Sequence, residues 1–292
     1  MLLEAVYAGL RIGHFSSLML LVGTACYCRL LSPRTYRAQL ASRLYGVMVI
    51  GSPVAMLTAV GILAAQTGLM SGDWRNIGDV STWYAVLGTR FGMLWVWQPV
   101  LALIMCATVF WHRSGWLTGM LVSGVAQLCG MAWVGHAAML EGWPGIVHGL
   151  SQTIHLLSVT FWVGGLVPLL PVLRDAQRVS AREDAILTMM RFSRFGHLAV
   201  ALAILTGLVN ARLILGWPLP PFGVYSTLLA VKVLLVAAMV LLALFNRYWV
   251  VPRFQHAGHA AYSYFLRLTM AELSLSVLVV GLVSVLATLS PA

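Results

Sequence analysis

Charge is scarce in this chain, and negative charge is scarcest. Only 9% of the residues are charged, with 8 acidic against 18 basic side chains, where an ordinary soluble domain carries roughly 25%. Hydrophobic residues make up 60%, and no soluble core of 292 residues needs so much apolar surface. The apolar runs lack the alternation of barrel strands, which leaves helices to satisfy the backbone in lipid. A cleavable signal is also missing. The first run is too long, contains Arg11 and His14, and leads into a basic loop instead of a small-residue cleavage site. No nucleotide-binding loop, phosphorylation motif or cytochrome c attachment motif occurs, which argues against active pumping by this chain alone and against covalent haem. No enzymatic activity is expected.

What is present is eight long apolar stretches: Ala5–Leu31, Leu44–Met70, Tyr84–Trp111, Trp116–Ala137, Val147–Leu173, Phe192–Leu215, Gly223–Trp249 and Leu268–Leu289. Each has about 20 or more residues, enough to cross a hydrocarbon core of ~30 Å as a helix. The expected fold is all-α, a polytopic membrane protein of eight transmembrane helices forming one domain over residues 1–292. Trp74, Trp83, Trp143, Trp217 and Trp249 near helix ends read as interfacial anchors.

The net charge of +10 is not spread like a nucleic-acid footprint. Arg29, Arg34, Arg37, Arg43, Arg113, Arg174, Arg178, Arg182, Arg191, Arg247, Arg253 and Arg267 lie in or beside odd-numbered connections, and only Arg75 lies opposite. The positive-inside rule then puts odd loops in the cytoplasm and both termini outside, which in a bacterial cell is the periplasm, since an outer membrane would hold a barrel instead. Cys26, Cys28, Cys106 and Cys129 read as small hydrophobes in apolar helices. A two-cysteine soft-metal site is the alternative.

The chain also echoes itself. His14 is followed by Ser17 and Gly23, and His155 by Ser158 and Gly164, at the same spacings. Arg43 precedes Leu57-Thr58 as Arg191 precedes Leu205-Thr206, and Tyr84 precedes Arg90 much as Tyr225 precedes Lys232. These offsets fit two four-helix repeats, 1–140 and 141–292. An even helix number makes such copies parallel, related by an axis along the membrane normal. Chance similarity between apolar segments is the other reading.

Several ionisable residues fall where lipid should exclude them, at an insertion cost on the order of 2.5 to 3.5 kcal/mol for a central Arg or Lys. Arg194, His197 and Arg212 lie near helix ends, where side chains snorkel. His14, Arg90, His155 and Lys232 are expected in one layer, ~10 to 15 Å below the outer boundary at 1.5 Å per residue. Glu272 is their nearest chemical opposite, a counter-ion, a proton-handling carboxylate or a structural ion-pair partner.

The densest signal lies above that layer. Gly135-His136-Ala137-Ala138-Met139 closes the fourth stretch, Glu141 follows in the loop, and His148 and His155 share one face of the fifth helix. Imidazole with thioether selects copper, particularly Cu(I), over hard cations. The candidate metal ligands are therefore His136, His148, His155, His14 and Met139, with Arg90, Lys232, Glu141 and Glu272 as supporting or counter-ion residues. Met19, Met56, Met93 and Met131 extend a soft path or simply pack.

Gly135-His136-Ala137 with His148 and His155, the run Trp162-x-Gly164-Gly165-Leu166, Arg191-Phe192-Ser193, Thr206-Gly207, Asn246-Arg247-Tyr248 and Pro252-Arg253 occur in this order through the chain. In that order and spacing the chain resembles the copper-resistance protein D family of bacterial inner-membrane copper-homeostasis proteins. The resemblance implies a plasma-membrane protein that handles copper between periplasm and cytoplasm beside a periplasmic copper-binding partner. The alternative is an electron-transfer protein in which facing histidines such as His14 and His155 hold noncovalent haem b, or copper, for redox work. A copper-binding sensor or scaffold is a third reading.

Overall fold

The computed structural model describes residues 2–135, 140–216 and 223–289, without the side chains of 255–259. Helix accounts for 90% of it, with no strand among the described residues. The chain runs through α1 (Leu2–Cys26), α2 (Arg34–Ser71), α3 (Val80–Leu87), α4 (Arg90–Trp95), α5 (Trp97–Trp111) and α6 (Trp116–Met131). It continues through α7 (Gly142–Gly164), α8 (Leu166–Asp175), α9 (Arg182–Leu215), α10 (Val224–Phe245) and α11 (Phe254–Leu286). Among the described residues seven segments are long and apolar enough to cross a membrane, and α6 is a shorter apolar helix between the third and fourth of them.

Three crossings depart from the expected continuous rods, each for a local reason. In the third, Thr89 caps a fresh start, its hydroxyl accepting from the Gly92 amide at 3.1 Å. Pro99 then has no N–H for the Trp95 carbonyl, and the helix resets at Trp97. The segment Arg90–Trp111 spans 22 residues, enough to cross alone, so α3 stands outside it. In the fifth, Pro168 leaves the Gly164 carbonyl without its helical donor, and α7 gives way to α8 there. The fourth was expected to reach Ala137. It ends at Met131, and the chain turns before Gly135, whose φ of +73° suits glycine.

Helix α1 is the hub, touching α2, α6, α7, α8 and α11. It crosses α7 where Gly23 meets Gly164. A Cβ on Gly164 would lie 2.1 Å from the Met19 carbonyl oxygen, and one on Gly23 would lie 2.2 Å from the Gly164 carbonyl. Only hydrogen at both positions permits this approach. In the first half α2 packs on both α1 and α5, and α6 on α5 and α1, around fully buried Leu18, Leu21, Met48, Ile62, Met105 and Met120. In the second half α7 pairs with α9 and α10 with α11, but α9 and α10 make at most marginal contact. Helices α8 to α11 line a half-open cavity of about 880 Å³ there instead.

Two polar clamps tie the halves together. Asp175, wholly buried at the end of α8, forms an ion pair with Arg43 of α2 and accepts from the Tyr36 hydroxyl at 2.6 Å. Arg191 of α9 donates to the Leu31 carbonyl, just past α1, at 2.8 Å. Each half thus sends an arginine from its second crossing to the end of the other half's first.

Candidate functional site

His14 and His155 each sit within a long helix with one ring nitrogen anchored. His14, fully buried, places Nδ1 3.1 Å from the Ala55 carbonyl oxygen and 3.2 Å from Thr58 Oγ1, both on α2. His155 places Nδ1 3.0 Å from the Ala203 carbonyl oxygen and 3.1 Å from Thr206 Oγ1, both on α9. A carbonyl oxygen only accepts, so Nδ1 carries the hydrogen in both rings. The threonine protons are directed elsewhere, Thr58 donating to Val54 at 2.6 Å and Thr206 to Leu202 at 2.5 Å, which leaves each hydroxyl oxygen free to accept from its imidazole.

In a neutral ring so anchored, the lone pair lies on Nε2. Ligand histidines are oriented in this way, by a backbone or carboxylate acceptor on the other nitrogen. His14 Nε2 is buried and has no hydrogen-bond partner. The Trp95 ring lies beside His14, centroids 5.8 Å apart, held by its own Nε1 bond to the Ala59 carbonyl at 3.0 Å. Gly207 packs beside the His155 ring, where a Cβ would meet Cε1 at an ordinary contact distance of 3.4 Å. A cation stands within electrostatic reach of each ring, Arg11 for His14 and Lys232 for His155.

His148 is almost wholly buried two turns outward from His155, beside Gly149, over which the Trp133 ring packs. His136 and Met139 lie outside the described residues. Among the described residues no group of three or more His, Cys, Asp or Glu is disposed to hold a metal ion.

Arg90 departs from the expected layer. It is exposed at the start of α4, because the crossing begins with it rather than at Tyr84. There it lines a cleft of about 270 Å³ with Glu141, Trp133 and Gly145. Lys232 is half-buried and close to His155, whereas Glu272 hydrogen-bonds with Trp162 and borders the large cavity among Arg182, Arg247 and Asn246. Of the methionines, Met19 and Met131 are buried, while Met93 is 57% exposed on the outside of the bundle and extends no interior path. Cys26 and Cys28 are buried in the core as free thiols.

Residues 1–146 match the model for the copper resistance protein D-like N-terminal domain, and residues 186–286 match the one for copper resistance protein D. The chain is 37% identical over 292 residues to the inner membrane protein YebZ of Escherichia coli (strain K12), covering 99% of this chain and 100% of that one. The chain belongs to the copper-resistance protein D family. Copper resistance protein D of Pseudomonas syringae pv. tomato is 30% identical over 303 residues, 96% of this chain and 95% of its own. The copper transport protein CutJ of Bacillus subtilis (strain 168) is 29% identical over 134 residues, 44% of this chain and 24% of its own. No solved structure matches. This family member is thus a copper-related, multi-pass inner-membrane protein.

Sequence reasoning missed Asp175 and the cavity in this copper-resistance protein D family member. Asp175 is hidden in the sequence among Arg174 and Arg178, where it reads as part of a basic loop. Its signal is rarity, as one of 8 acidic residues placed at the end of an apolar run.

Proposed function

We propose that this protein takes copper as its substrate and passes it between periplasm and cytoplasm by way of imidazole Nε2 atoms held ready inside the bundle. The observation that carries the proposal is the repeated anchoring of His14 and His155, each by a backbone carbonyl and a threonine hydroxyl one helix away. Two rings held alike, with the lone-pair nitrogen left for a ligand, exceed what packing alone needs. Copper is the substrate because imidazole suits it and because relatives bear copper resistance and copper transport in their names.

The nearby cations favour the monovalent ion. Coulomb repulsion from Lys232 or Arg11 is half as large for Cu(I) as for Cu(II) at equal distance. His136, Met139 and His148 form the receiving rim in this scheme, with both termini and a periplasmic copper-binding partner on that side. Residues 1–140 and 141–292 act as two copies of one unit, each contributing one anchored imidazole. The protein is no enzyme, and an ion gradient, a handed-over ligand or cytosolic chelation drives net movement.

The test is radiocopper flux into proteoliposomes, together with Cu(I) binding measured by chelator competition. His14→Ala and His155→Ala are each expected to weaken binding and to cut flux at least tenfold. Flux unchanged in the double variant overturns the proposal. An absorbance spectrum of protein from haem-replete cells tests the haem b alternative, which requires a Soret band that shifts on reduction.

A further inference from the structure

The two halves differ where they should match. In the first half the second crossing packs on the third, α2 against α5, whereas α9 and α10 in the second half stand apart around the cavity of about 880 Å³. That volume falls within the roughly 300 to 1,000 Å³ of ligand pockets. The cavity is half open to its surroundings, so a chain-like molecule can enter it from outside the bundle.

The lining is amphipathic. Leu169, Met189, Phe192, Val200, Val240 and Phe265 are among the residues of the apolar body, Arg182 and Arg247 bring two guanidiniums to it, and the one carboxyl on the described lining, Glu272, is hydrogen-bonded to Trp162. Neither arginine forms an ion pair within the described residues. Asn246 also borders the cavity. It is 6% exposed, its amide nitrogen reaches Thr269 Oγ1 at 3.5 Å, and its Oδ1 is buried without a partner. A buried carbonyl of this kind asks for a hydrogen-bond donor. The occupant must therefore combine a long apolar body, an anionic group for the arginines and a donor near the junction of the two.

Membrane depth fits the same occupant. Counting back ~30 Å of helix from Leu215 places the inner edge of the hydrocarbon near Gly196. Arg182 then lies beyond that edge and Ile204 inside it, so the cavity straddles the headgroup level on the arginine-rich side.

We propose that this cavity is a site for one anionic phospholipid of the arginine-rich leaflet. Its phosphate is held by Arg182 and Arg247, its headgroup or glycerol-level donor meets Asn246 Oδ1, and an acyl chain fills the gap between α9 and α10. The full chain, purified in detergent and examined by native mass spectrometry, tests this with phosphatidylglycerol and phosphatidylcholine as probes. Wild type is expected to keep one phosphatidylglycerol per chain through repeated detergent exchange and to prefer it over phosphatidylcholine at least tenfold. R182Q/R247Q should lose that preference, and A243W, which fills the cavity, should keep no lipid. R174Q, a charge change outside the lining, should behave as wild type. Should A243W fail to fold, the arginine pair alone decides. Equal binding of both lipids, unaltered retention by R182Q/R247Q, or an isoprenoid quinone found in place of phospholipid overturns the proposal.

Discussion

Replacing Gly164 with alanine adds one methyl at the point where α1 and α7 cross. Its carbon would begin 2.1 Å from the Met19 carbonyl oxygen, and ordinary contact starts near 3.4 Å. The helices must therefore part by about 1.3 Å, or the backbone must bend, because the obstructing atom is main chain and has no rotamer to change. Overpacking of this kind costs about 1 to 3 kcal/mol, and the rigid obstacle places Gly164→Ala toward the upper end. Even at about 2 kcal/mol, the middle of that range, the folded-to-unfolded ratio falls roughly 30-fold. Gly23→Ala meets the same pair from the other side, so the double variant should cost less than the sum of the two singles. Reversible unfolding in mixed micelles, monitored by circular dichroism across wild type and the three variants, measures all three values. A Gly164→Ala protein as stable as wild type would refute the close crossing, and strict additivity would refute the shared contact.

Three further outcomes follow from the described contacts. Thr58→Val and Thr206→Val keep side-chain shape but remove one acceptor from each imidazole, and loss of such outer-shell partners lowers metal affinity by about 10- to 100-fold. Chelator competition checks this, and affinity equal to wild type would mean the backbone carbonyl alone orients the ring. At the Arg43–Asp175 clamp the carboxylate is fully buried while the arginine side chain is 27% exposed. Arg43→Met, which strands the buried charge, should therefore cost about 3 to 5 kcal/mol, and Asp175→Asn less; the reverse order in unfolding experiments would contradict the clamp. Asp79 caps α3 outside the membrane spans, and bonds from the Ser81 and Thr82 side chains and amides hold its carboxyl down at about 2. A depressed carboxyl stabilises the fold above its unfolded value of roughly 4 and loses that effect as pH falls toward 2. Amide exchange corrected for intrinsic rate should show the Ser81 and Thr82 amides losing protection in that window, and Asp79→Asn should abolish the step.

The crossings were legible because lipid imposes one rule on every apolar run, and the rule is written in composition. The spacing shared by His14 and His155 was legible too, and so was the spacing that matched Thr58 to Thr206; that these threonines are the hydrogen-bond partners of the two histidines shows only in the structure. Arg90 was misplaced because hydropathy carries no mark of a helix restart: Tyr84 to Trp111 reads as one run, although Thr89 and Pro99 break it. Asp175 escaped because a charge count near a loop cannot reveal that the carboxylate turns inward to Tyr36 and Arg43. The cavity escaped for a different reason. α9 and α10 are about as apolar as α2 and α5, and whether two greasy helices touch depends on shape, which residue type encodes weakly.

The brevity of α6 has a consequence for the lipid around it. Its 16 residues extend ~24 Å at 1.5 Å per residue, against ~30 Å of surrounding hydrocarbon. Since α5 ends at Trp111 and α6 begins at Trp116, the shortfall falls at the opposite face, where Trp133 packs over Gly149. A helix of this length is matched by local thinning of the bilayer or by flanking side chains that reach to the interface, at a modest energy per ångström. Where the bilayer thins to match a short helix, polar solvent comes closer to the depth of His148, and an ion crosses less hydrocarbon to reach it.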